Sequence, residues 1–172
     1  MRLSTRFLIE QLRDRLTQDA AIAARSGQSA RDVAQRSSDV AEKREDARAA
    51  IEFSNLAHAE ARRVQGLQRA VANLDDLSPL GLPNFGPTST VALGAIIEAM
   101  CEDEDGTFSK TFVLLPAGAG TELTGPGGDG VISVITPASP VGKAMMGKRA
   151  GDVAEVVVKG EPLDWEILEV WS

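Results

Sequence analysis

The sequence predicts an α+β protein, with an N-terminal antiparallel α-helical coiled-coil hairpin followed by a small antiparallel-sheet domain with one short helix. Three observations carry that expectation: a partition of turn residues and charge near Leu77, a helical spacing of apolar residues before it, and a strand-like alternation after it. Residues 1–77 hold 13 of the 18 basic and 12 of the 25 acidic side chains, a net of +1, and residues 78–172 carry a net of -8. All 8 prolines and 14 of the 16 glycines fall in the second part. The predicted organisation is a coiled coil over 1–77, a Pro- and Gly-rich linker over 78–90 that supports neither helix nor ladder, and a sheet domain over 91–172.

In the first part Ile9, Leu12, Leu16, Ala23, Ala30, Val33 and Val40 follow alternating three- and four-residue steps, with Asp19, Ser26 and Ser37 in the polar slots. Phe53, Ala57, Val64, Leu67, Val71 and Leu74 repeat the spacing, and Glu60 is the polar intruder. So narrow a seam suits a two-stranded coiled coil. Two helices with a turn near residues 38–44 are expected, each about 50 Å long at about 1.5 Å per residue. No strong breaker marks the turn, so one continuous, dimerising helix stays open as the alternative.

In the second part, strands are expected over 95–102 and 107–115, joined at Asp105 and Gly106, a hairpin signal. Residues 118–130 read as a glycine-rich loop and 131–136 as a third strand. Pro140 opens a short helix that Gly147 closes. Residues 153–159 and 163–170 form a last hairpin around Pro162.

The chemistry open to the chain is narrow. One cysteine, Cys101, and one histidine, His58, exclude an internal disulfide and a cysteine-based zinc site. No apolar run of about 20 residues is present to span a bilayer, and the charged N-terminus lacks a secretory h-region. A cytoplasmic monomer is expected. Cys101 reads as a half-buried small hydrophobe and His58 as solvated surface. Met145 and Met146 are expected to pack on the sheet. The glycine run at 125–130 lacks the Lys-Ser/Thr pair and helix of a phosphate loop.

The segment from Val131 through Ser139, Pro140, Gly147, Lys148, Gly151 and Asp152 resembles the C-terminal domain of the bacterial Gre transcript-cleavage factors, which have a strand, Ser-Pro, a helix and Gly-Lys-x-x-Gly-Asp in that order. The last strand around Trp165, Ile167 and Val170 is also similar, and an inserted Ala138 and Ser139 is the main departure. The resemblance covers residues 91–171 and implies an FKBP-like domain behind a long antiparallel coiled coil. Prolyl isomerase activity does not carry over with the fold, because Phe108, Phe112, Trp165 and Trp171 alone build no aromatic-lined pocket.

Counted from Leu12 along the first helix, Asp39 and Glu42 fall where the family's tip has Asp-x-x-Glu, and Glu45 falls on another of its acidic positions. Lys43 and Arg44 replace an Asn-Ala pair, Asp46 an aromatic, and Ser38 a Gly. The resemblance implies a factor that binds bacterial RNA polymerase, enters its secondary channel and stimulates the polymerase's own cleavage of backtracked RNA, without being an enzyme itself. Asp39 and Glu42 would act beside the polymerase's Mg²⁺, a hard cation that takes oxygen ligands. The chain itself would hold no stable cofactor. Arg36, Arg44 and Arg48 are candidate contacts to nascent RNA phosphates, against an ordinary Arg-rich coiled-coil flank. A channel-entering inhibitor and a structural coiled-coil adaptor are the alternatives. Docking is expected on the acidic sheet domain, at the 118–130 loop or the 131–136 strand, and to weaken with salt.

Overall fold

The computed structural model describes residues 3–39, 44–77, 81–103, 106–128, 130–158 and 161–172; for Asp39, Arg44, Asp103, Val158 and Glu161 the description is limited to the backbone. The chain forms two compact units, Asp14–Ala72 and the combination of Met1–Arg13 with Asn73–Ser172. Helix α1 spans Thr5–Asp39 and α2 spans Arg44–Leu77. Ser4 starts α1: its hydroxyl accepts from the Phe7 amide at 3.4 Å, satisfying one orphan donor of the first turn.

In the helical unit, Thr17, Ala20 and Ala24 of α1 share a groove with Val71, Gln68 and Val64 of α2. Farther along α1, Gly27 lies against Ala57 and Glu60. Numbers rise on one helix as they fall on the other, so the pair is an antiparallel hairpin, and the continuous-helix alternative is excluded. The buried seam is built from small residues, Ala23, Gly27, Ala30 and Ala57. It differs from the expected spacing at one step, because Ser26 is exposed and Gly27 takes its place. A step of four residues overshoots a full turn by about 40°, whereas a step of three falls short by about 60°. Gly27 also permits closer approach, since a Cβ there would lie 3.2 Å from the Glu60 Cβ. Phe53, expected on the seam, is 37% exposed.

The sheet unit contains β1 (Ile96–Asp103), β2 (Gly106–Leu114), β3 (Glu122–Thr124), β4 (Val131–Ile135), β5 (Val153–Val158) and β6 (Glu161–Trp171), with helix α3 (Pro140–Met145) between β4 and β5. The six strands form one sheet in the order β3-β4-β2-β1-β6-β5. It is mostly antiparallel, but β2 and β4 run parallel, with Phe112 opposite Ser133. The cause is β3, a three-residue strand inside the segment read as a loop: it reverses the chain, and β4 returns between β3 and β2. Strand β6 starts two residues earlier than expected and includes Pro162, opposite Val157. That position is near the strand's first residue, where a missing N–H is tolerated.

Strand alternation gives the sheet two faces. One face holds Ile97, Ala99, Cys101, Phe112, Ala154, Val156, Trp165 and Ile167, packed with Met145 of α3 in the main core. Trp165 meets the rings of Phe108 and Phe112 edge-on, with centroids 5.4 and 5.2 Å away. Cys101 is fully buried rather than half-buried, because strand alternation turns it into this core. Met145 packs as expected, but Met146 caps the helix and is 47% exposed. The other face buries Ile96, Val113, Leu123, Ile132 and Val134. The first turns of α1 attach to the same unit: the Thr5 hydroxyl donates to the Gly94 carbonyl at 2.6 Å, Gln11 pairs with Thr124, and Leu12 seats against Gly118.

The turn before α3 is built from side-chain capping. Ser139 Oγ accepts from the Gly142 amide at 3.2 Å and from the Thr136 amide at 3.1 Å, and donates to the Thr136 carbonyl at 2.8 Å. The Ser of the inserted pair is therefore the helix cap, with Pro140 at the first helical position. A Cβ at Gly142 would collide with the Thr136 carbonyl, a backbone atom that cannot yield. Gly142→Ala is expected to destabilise the sheet unit by about 2 kcal/mol or more. Gly66→Ala, in open space on α2, is expected to stabilise the hairpin by about 0.5–1 kcal/mol. Denaturant melts of the two variants against wild type check both signs.

Candidate functional site

The candidate site is the far end of the helical hairpin, where α1 stops at Asp39 and α2 starts at Arg44. Glu42 and Lys43 lie outside the described residues, as do the side chains of Asp39 and Arg44. The flanking turns are described. Arg36 is exposed in the last turn of α1, and Glu45 and Asp46 occupy the first turn of α2. Each sits where its charge opposes the helix dipole, a positive side chain at a C-terminus and negative ones at an N-terminus. Both helix ends near the site are thereby stabilised whatever else these residues do.

Arg48, the third candidate RNA contact, is exposed and pairs with Glu52 one turn on, Nε to Oε1 at 3.5 Å. An exposed pair at this spacing contributes about 0.3–0.5 kcal/mol, so it leaves the guanidinium available to another anion. Arg25 donates to the Ala21 carbonyl at 3.3 Å, and His58 is exposed on α2 as expected. Among the described residues no group of three or more His, Cys, Asp or Glu is arranged to hold a metal ion.

The seam leading to this end contains one feature whose energetic cost the spacing did not reveal. Glu60 Oε2 is buried without a hydrogen-bond partner, and the nearest cation, Arg63 Nη1, is 3.9 Å away. Gly27 on the facing helix makes the room for it. The sequence signal was the pairing of a polar seam residue with a glycine opposite, which only the antiparallel offset of the helices reveals.

Residues 86–172 match the family model described as "Transcription elongation factor, GreA/GreB, C-term". This chain belongs to the GreA/GreB family of transcription elongation factors. A transcription elongation factor GreA of Helicobacter hepaticus is 32% identical over 109 residues, covering 63% of this chain and 58% of that protein. Among solved structures, GreA factor homolog 1 (Gfh1) of Thermus thermophilus aligns over 93% of this chain and 94% of its own, with 20% identity and a TM-score of 0.38. A GreA/GreB factor from Nitrosomonas europaea aligns over 65% of this chain and 92% of its own, with 26% identity and a TM-score of 0.34. Among the described residues no helix is long and apolar enough to cross a membrane.

One oxygen of the Glu60 carboxylate is buried without a hydrogen bond although the side chain is 16% exposed, and exchanging a partly buried carboxylate for an apolar side chain of similar size is neutral to stabilising. Glu60→Leu is accordingly expected to raise the melting temperature of the helical unit, corresponding to about 1 kcal/mol. Thermal melts followed by far-ultraviolet circular dichroism provide the check.

Proposed function

We propose that this chain is a Gre-type elongation factor that binds bacterial RNA polymerase, enters its secondary channel with the helical hairpin and stimulates the polymerase's own cleavage of backtracked RNA. The observation that carries the reading is the combination of a GreA/GreB C-terminal domain over 86–172 with an antiparallel pair of 35- and 34-residue helices before it, whose connection holds Asp39 and Glu42. Helices of that length extend about 50 Å, enough to reach deep into a channel from a docking site at its rim. The chain is not an enzyme in this reading; the catalytic centre belongs to the polymerase. It acts as a monomer in the cytoplasm, where its partner is.

Asp39 and Glu42 supply two oxygen donors at an i, i+3 spacing, which would put both on one side if the chain were helical there. A magnesium ion held in the polymerase's centre supplies activation of a water and charge neutralisation at the phosphate. The part played by this chain is to present carboxylates there, with Glu42 also positioned to hold a water. Lys43 and Arg44 add positive charge beside them, suited to phosphate oxygens of the extruded RNA. Arg36 and Arg48 extend that positive charge along the hairpin.

Transcript cleavage in a stalled, backtracked elongation complex tests the reading. Wild type is expected to accelerate cleavage, and Asp39→Ala/Glu42→Ala to lose about 10–100-fold or more of that acceleration while still binding. Binding without acceleration by wild type would make the chain an inhibitor of the channel, and absence of binding would leave only an adaptor role.

A further inference from the structure

The hairpin is not packed evenly along its length. Over a stem from Leu16 to Ala30, α1 buries Leu16, Ala23, Gly27 and Ala30. Facing it, α2 buries Ala57 and half-buries Val64, Leu67 and Val71. Beyond the stem lie two arms, 31–38 on α1 and 45–56 on α2, and not one of these residues is buried. The arms are not short of apolar side chains. Ile51, Phe53 and Leu56 are 62%, 37% and 44% exposed, while Val33, Ala34, Ala49 and Ala50 are half-buried.

The helix offset explains why these side chains go unused. Gly27 lies against Ala57 and Glu60. One turn to two turns farther on, Phe53 therefore comes level with Arg31 and Ala34, and neither offers a large apolar surface. The interactions that do support the arms are local. Arg48 pairs with Glu52 on the same helix, and Arg36, Glu45 and Asp46 oppose the dipoles of the helices that carry them. None of these joins one arm to the other. Isolated helices shorter than about 12–15 residues are marginal in water, and packing of an apolar face supplies most helical stability in proteins. Continuity with the stem spares the arms the cost of nucleation, but each added turn is then barely favourable.

We infer that 31–38 and 45–56 form a separate opening unit, which unfolds and refolds in the free chain while the stem stays folded. Proteins open in such cooperative pieces, and a piece with few buried apolar contacts opens most easily. Asp39 and Glu42 lie between the two arms in the chain, so their presentation follows the arms' equilibrium. Any interaction that needs the formed arms is weakened by the fraction of molecules in which they are formed. That consequence rests on the polymerase reading above, whereas the opening itself does not. The apolar spacing of α2 hides the weakness, because Phe53 keeps the period and only the offset puts Ala34 across from it.

Amide hydrogen exchange of the full chain, read by mass spectrometry, tests the inference. Relative to intrinsic rates, the arms are expected to exchange at least about 100-fold faster than residues 16–30 and 57–71. Ala34→Leu gives Phe53 an apolar partner and is expected to slow exchange in both arms about three- to tenfold, with the stem unchanged. Phe53→Ala is expected to speed exchange in the arms alone. Equal protection along the whole of both helices in wild type overturns the inference. Changes of equal size in stem and arms for either variant overturn it as well, because the hairpin would then open as one piece. In the transcript-cleavage assay with limiting factor, Ala34→Leu is expected to raise stimulation about twofold or more; slowed exchange without that gain overturns the link to presentation. The expected exchange pattern in a wild type that stimulates no cleavage would overturn the polymerase reading and leave the opening unit standing.

Discussion

The sheet unit depends on Leu12 meeting a residue with no side chain. At Gly118, whose φ is +85°, a Cβ would come within 2.8 Å of Leu12 Cδ2, so the leucine fills the place a side chain would take. Leu12 is fully buried there, as are Leu8 one turn earlier and Leu74 near the end of α2. The Thr5 hydroxyl on the Gly94 carbonyl and Gln11 on Thr124 fix the same turns of α1 by hydrogen bonds. Residues 89 positions apart in the chain thus close the unit. This is why its compact limits take in Met1–Arg13 and Asn73–Leu77 rather than starting after the helices.

Local rules made the C-terminal part legible. Ser139, Pro140 and Gly147 occupy the cap, the first helical position and the left-handed residue after α3, three places where the backbone accepts few residue types. Gly147 and Lys148 are also tied to Val91, one as donor and the other as acceptor, at 2.8 and 2.7 Å. The motif that carried the resemblance is in this chain a set of backbone requirements, which is why it is readable without the fold. What stayed hidden was non-local. Three residues of β3 are too few to alternate visibly, and the parallel β2–β4 pair follows from them. The exchange of Ser26 for Gly27 on the seam depends on which helix face meets α2.

The candidate site divides in the same way. Arg36, Glu45 and Asp46 are accounted for by the dipoles of the helices that end and begin beside them, and Arg48 by its pair with Glu52. The part proposed for Asp39 and Glu42 rests on the proposed function, since Glu42 and the Asp39 side chain lie outside the described residues. A seam rich in Ala and Gly lets the two helices approach closely, at the expense of apolar burial. The sheet unit, with 8 more acidic than basic side chains over 78–172, has the opposite character and suits a surface that docks.

In the proposed function, residues 39–44 reach the polymerase's catalytic centre. A photo-crosslinking amino acid placed at Ala41, between the two carboxylates, tests this in a stalled elongation complex. Crosslinks to polymerase segments surrounding the catalytic magnesium and to the 3′ end of the extruded RNA are expected. Crosslinks confined to the polymerase's outer surface, in a complex where the factor is bound, would contradict it.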